Sequence, residues 1–117
     1  MNYHGIWSKD KKGTPATQAA ARRIVEIASE VDCPVVICGD FNLFPDTESM
    51  RILNNAFTSL IEQYQITRTR PQSNELSGEG RNVVDYLFVS KSLRVKTFAV
   101  PDVEVSDHLP LVAEFDL

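Results

Sequence analysis

Three short stretches join apolar strands to polar tips of a kind that can move protons or hold cations. In the first, Val35, Val36, Ile37 and Cys38 run without alternation into Gly39, Asp40, Phe41 and Asn42. Such a run reads as a strand covered on both faces, with Pro34 tolerated at its start. Asp40 and Asn42 then lie at a strand's carboxyl end, where open α/β sheets place ligands, and Gly39 permits a tight turn. The same Gly-Asp-x-Asn is also ordinary turn chemistry, because Asp and Asn bond their own backbone and tolerate left-handed conformations. In the second stretch, Asp85 stands inside an otherwise apolar strand over 83–89. An unpaired charge buried there would cost on the order of several kcal/mol, so Asp85 requires a partner. In the third, Ser106, Asp107, His108, Leu109, Pro110 and Leu111 put an acid beside an imidazole just before the last strand. That pattern suits an oriented His, or a metal ligand with a supporting carboxylate. The other of the chain's 2 His, His4, sits in the first strand-like segment. Read alone, it is a core histidine satisfied by backbone in preference to a site residue.

Taken in order, Asn2-x-His4-Gly5, Gly39-Asp40-Phe41-Asn42, the stretch from Asp85 to Ser90, and Ser106-Asp107-His108-x-Pro110-Leu111 resemble the carboxyl-terminal half of the endonuclease/exonuclease/phosphatase (DNase I-like) superfamily. That group includes DNase I-like nucleases, abasic-site endonucleases, inositol-phosphate phosphatases, sphingomyelinases and deadenylases. The resemblance implies an α/β fold: half of a four-layer α/β/β/α sandwich, with a mixed, mostly antiparallel sheet and helices on one face. It makes residues 1–117 a single partial domain. It also implies a metal-dependent phosphoesterase acting through activated water. Asp40 would orient or deprotonate that water, Asn42 would donate to a phosphoryl oxygen, and His4 would assist at the scissile phosphate. His108, held by Asp107, would contact the phosphate or take the proton. Asp85 would pair with an imidazole, most plausibly that of His4, and Asp107 would ligate Mg²⁺ or Mn²⁺. The family's principal metal-binding Glu and an Asn come from its amino-terminal half, so the cation is expected to bind weakly or not at all without that half. A second reading follows: a catalytically incompetent fragment or interaction module. Half a sandwich would bare one apolar sheet face, which predicts a homodimer through that face.

The supporting elements are legible around these stretches. Thr14 offers an N-cap with Pro15 in the first helical position, and Ala20, Ile24, Ile27 and Val31 recur at helical spacing. Lys9, Lys11 and Lys12 precede this helix in a polar loop, either simply solvated or a rim on the phosphate side. Asp46 reads as the cap of a second helix through Met50, Leu53 and Asn54, in preference to a metal ligand. Residues 57–66 are mixed, a short strand and a turn. Arg68 and Arg70 either present guanidinium groups to phosphate or form an exposed rim. Residues 71–80 read as a flexible loop, which the resemblance implies could set substrate preference, and strands are expected over 83–89, 94–100 and 109–115.

Composition bounds the rest. A chain of 117 residues with 43% hydrophobic and 24% charged side chains can bury one core as a globular domain. A formal charge of −4 argues against a strong sequence-independent grip on a nucleic-acid backbone. Neither a membrane span nor the apolar core of a signal peptide is present, which leaves cytoplasmic residence as the expectation. Cys33 and Cys38 lie at the two ends of one expected strand, about 3.3 Å per residue apart along the chain, too far to bridge.

Overall fold

A computed structural model describes residues 1–74 and 82–116. Helix α1 (Pro15–Ser29) begins where the sequence places it: Thr14 caps the Thr17 amide, Thr17 returns the bond, and Pro15 occupies the first turn. Its buried stripe is shifted from the expected one. Thr17, Ala21 and Ile24 face inward, whereas Ile27 and Val31 are exposed. Small residues set that stripe, because α1 lies against helix α2 (Glu48–Ala56), where Thr17 Oγ1 and Ser49 Oγ meet at 2.9 Å. The cap of α2 is Thr47, one residue beyond the expected Asp46.

Strand β1 (Val36–Asp40) pairs antiparallel with β3 (Asp85–Val89), whose other edge carries the two-residue β2 (Thr58–Ser59). The short helix α3 (Leu60–Gln63) follows β2. The first strand-like segment, expected over residues 1–7, runs beside β1 through Tyr3 N to Cys38 O (2.9 Å) and Gly5 N to Asp40 O (2.7 Å), but makes only an isolated parallel bridge. The closeness of this segment explains two glycines. A Cβ on Gly5 would stand 2.0 Å from the Phe41 carbonyl oxygen, and one on Gly39 would stand 1.9 Å from that of Tyr3. Gly39 therefore serves close backbone approach at φ +143°, and the left-handed turn residue is Asn42 at φ 55°.

The core gathers the Phe41, Tyr86 and Phe88 rings, with Phe41 5.5 Å from Tyr86 and 5.6 Å from Phe88. The Tyr86 hydroxyl donates to Leu43 O at 2.8 Å, and burial raises its pKa well above the ordinary value. Strands β4 (Arg94–Ala99) and β5 (Val112–Asp116) form a separate antiparallel hairpin. It contributes Phe98 to the core, 5.5 Å from the Tyr64 ring, with Val95, Ala113 and Phe115 packed beside it. All 5 positions of β3 are buried, whereas on the neighbouring β1 Ile37 alone is buried. Both cysteines are free thiols, and among the described residues no helix is long and apolar enough to cross a membrane.

Candidate active site

Strand register creates the centre of the site. In the β1–β3 pair Asp40 stands directly opposite Asp85, which puts two carboxylates side by side on one face of the sheet. Asp85 is buried, and desolvation pushes its pKa up, with the Asp40 charge adding to the push. Hydrogen bonds from Thr69 and His108 work in the opposite direction. Thr69 Oγ1 donates to Asp85 Oδ2 at 2.7 Å and accepts the Val84 and Asp85 amides at 3.1 Å each, so its hydrogen-bonding capacity is filled. The Leu109 amide donates to the Thr69 carbonyl at 2.8 Å, which draws the His108 loop against the Thr69 segment.

His108 Nδ1 lies 2.9 Å from both Asp85 oxygens. Its Nε2 lies 2.8 Å from Arg70 Nη1, a group that can only donate. The partners therefore assign the proton to Nδ1 and leave Nε2 as an acceptor. Arg70 also donates to Asp107 Oδ2 at 3.3 Å and to the Asn74 carbonyl at 3.1 Å. These contacts correct two expectations. Asp85 pairs with His108 instead of His4, and His108 is held by Asp85 instead of Asp107. Asp107 sits on the exposed rim, 4.0 Å from His108 Nε2, where the Ser106 hydroxyl and the nearby cations lower its pKa. Arg68 points elsewhere and pairs with Asp102 at 2.6 Å.

The second arm of the site is more open. Asp40 Oδ1 accepts the Asn42 amide at 2.8 Å, a turn of the kind the sequence allowed, while Oδ2 faces His4 Nε2 at 3.9 Å and His108 Nε2 at 3.8 Å. The His4 side chain is 79% exposed. The Asn42 side-chain amide lies 3.4 Å from His4 Nε2 and donates to the Gly5 carbonyl at 3.3 Å. Lys11, from the polar loop, is buried and donates from Nζ to Asn42 Oδ1 at 2.6 Å. The structure thus brings His4, Asp40, Asn42, Asp85 and His108 together and adds Thr69, Arg70 and Lys11. Thr69 has no sequence signal beyond its place between two arginines, and Lys11 has only its place in a basic loop.

Ligand atoms of Asp40, Asp85 and His108 lie within 4.8 Å of one another. Two carboxylates and an imidazole are a donor set that Mn²⁺ tolerates well, and Mg²⁺ accepts through the oxygens. Asp85 is largely committed to Thr69 and His108, so Asp40 Oδ2 is the oxygen best placed for a cation.

Residues 9–108 match the model of the Endonuclease/Exonuclease/phosphatase family. The chain is 30% identical to carbon catabolite repressor protein 4 homolog 4 of Arabidopsis thaliana, aligning over 99% of its own length and 37% of that protein's. The fold is similar to that of an endonuclease/exonuclease/phosphatase from Bacteroides vulgatus (TM-score 0.76, 21% identity), covering 99% of this chain and 47% of that one. It is also similar to a mannosyl-6-phosphatase from Bacteroides thetaiotaomicron (TM-score 0.66, 20% identity; 99% and 49%) and to the human Nocturnin catalytic domain with bound sulfate (TM-score 0.60, 22% identity; 98% and 44%). This chain therefore spans less than half the length of each of these proteins.

Proposed function

Because the chain belongs to the endonuclease/exonuclease/phosphatase family, a family of phosphate-ester hydrolases, we propose that its site hydrolyses a phosphomonoester or phosphodiester with an activated water. The observation that carries this reading is the convergence on Asp40 Oδ2 of two imidazoles, 3.8 and 3.9 Å away, one of them oriented by Asp85. Such hydrolysis needs a water nucleophile, neutralised phosphoryl oxygens and help for the departing oxygen. Asp40 orients or deprotonates the water. Asn42 Nδ2 donates to a phosphoryl oxygen, and His4 assists at the scissile phosphate. His108, held in one tautomer by Asp85, contacts the phosphate or takes the proton at Nε2. Arg70 is the site's guanidinium and exchanges its bond to His108 for phosphoryl oxygens. Mg²⁺ or Mn²⁺, held by Asp40 with help from Asp85, His108 or the rim carboxylate of Asp107, would supply charge neutralisation at the phosphate. The mannosyl-6-phosphatase and the sulfate-bound Nocturnin domain, both similar in fold, support a phosphate-sized anion as ligand.

A second reading, an inactive module that self-associates as a homodimer, is favoured by the exposure of Met1, Ile6 and Trp7 beside the open arm. One set of measurements separates the two: hydrolysis of p-nitrophenyl phosphate and bis-p-nitrophenyl phosphate with and without Mg²⁺ or Mn²⁺, alongside sizing with light scattering at micromolar concentration. Cation-dependent turnover abolished by Asp40→Ala and by His108→Ala is the expected result. Absence of turnover in a folded dimer would instead support the module.

A further inference from the structure

Lys11 has no place in the chemistry outlined above, yet among the described residues it is a buried cation. Its side chain is buried, with the whole residue 6% exposed, and its backbone adopts a left-handed φ of 54°. A non-glycine residue in that region is strained and persists only where its surroundings enforce it. Here they do. The Lys11 carbonyl accepts the Phe44 amide at 3.0 Å, which pins the polar loop to the turn that follows β1. The ammonium reaches across to Asn42 Oδ1 at 2.6 Å, and the Trp7 ring centroid lies 5.4 Å from the same nitrogen. Burial lowers the Lys11 pKa, and the neighbouring Asp40 charge partly offsets that shift.

An asparagine amide has two ends that differ only in hydrogen-bond sense, and a flip exchanges donor for acceptor. A buried ammonium removes the choice. With Lys11 donating, the end of Asn42 that faces it must be oxygen, so the NH₂ end must point at Gly5 O and His4 Nε2, toward the open arm. The opposite orientation would set an NH₂ against an NH₃⁺. We infer that Lys11 is a positioning residue, which with Trp7 locks the Asn42 amide so that its donor end faces the substrate phosphate. The direction of the amide follows from the structure alone, while the role of phosphate as its target rests on the phosphoesterase reading. Withdrawal of electron density through Oδ1 also makes the amide a stronger donor.

The test uses the full chain with Lys11→Met, Lys11→Gln and Lys11→Arg, and backbone amide spectra to confirm folding. In side-chain ¹H–¹⁵N spectra, the Asn42 NH₂ pair, assigned by its loss in Asn42→Asp, is expected to move in Lys11→Met and Lys11→Gln and to return toward its original position in Lys11→Arg. A pair that does not move in either folded neutral variant overturns the inference, whether or not the protein turns over any substrate. Turnover of p-nitrophenyl phosphate is expected to fall on the order of 10- to 100-fold in Lys11→Met, and Lys11→Met is expected to have no further effect in an Asn42→Ala background. Effects that instead multiply would mean Lys11 contacts the phosphate directly and does not act through Asn42. Absence of turnover in the unsubstituted chain would count against the phosphoesterase reading, and the amide spectra would still decide the role of Lys11.

Discussion

The two imidazoles that flank Asp40 live in opposite surroundings. His108 is three-quarters buried, at 26% side-chain exposure, and has a hydrogen-bond partner on each ring nitrogen. His4 is 79% exposed, and its nearest polar groups stand 3.4 and 3.9 Å away. One arm of the site is therefore organised before any ligand arrives, and the other presents its ring to whatever binds. The difference follows from where each residue lies. His108 is drawn in by the Leu109–Thr69 bond and faces a strand buried at every position, whereas His4 belongs to a segment that touches the sheet through backbone bonds along one edge.

The sharpest way to break the contrast is to remove the buried carboxylate. Asp85→Asn should lower turnover by about 10²- to 10⁴-fold, because the amide no longer holds His108 in one tautomer. Its effect on stability should run the other way. The raised pKa of Asp85 means that the folded protein favours the protonated form, so this group's stabilising contribution is full at acid pH and is lost as pH rises through the folded-state value. At pH 7 Asp85→Asn should thus melt at or above the unsubstituted protein, with the gap closing as pH falls through the raised folded-state value toward the ordinary carboxylate value of 3.8. A lower melting temperature at pH 7 would show that the hydrogen bonds outweigh the burial.

A smaller effect is expected one bond further out. Thr69→Val keeps the shape but leaves the Val84 and Asp85 amides and one Asp85 oxygen without the hydroxyl. The expected cost is about 1–3 kcal/mol in chemical denaturation, and the acid limb of the pH–rate profile should shift upward, since the Thr69 bond holds the Asp85 pKa down. An unshifted limb would detach Asp85 from the chemistry. The smallest change in stability should come from the open arm. His4→Ala should alter stability by less than about 0.5 kcal/mol, as for other exposed substitutions, yet lower turnover about 10-fold. A stability loss comparable to that of Thr69→Val would mean that His4 braces the fold and the two arms are alike.

Local chemistry was legible from the residues themselves. Thr14 and Pro15 announce the start of α1 because capping is settled within one turn. The apolar run into Gly39, Asp40 and Asn42 marks a strand with polar residues at its tip, since burial and turn preferences act over a few residues. His4, Asp40, Asn42, Asp85 and His108 are legible as candidates in the same way, whereas Thr69 and Lys11 are not. Who pairs with whom was not legible. Asp107 is adjacent to His108 in sequence, yet Asp85, 23 positions away, holds the ring, because successive loop side chains diverge while strand register and the Thr69–Leu109 bond bring distant ones together. Lys11 reads as one of several surface lysines, and only the folding of its loop onto the β1 turn buries its ammonium against Asn42. Sequence determined which groups are available and which short elements carry them. Their partners depended on contacts between residues far apart in the chain, whose geometry exists only once β1, β3 and the loop before β5 are packed.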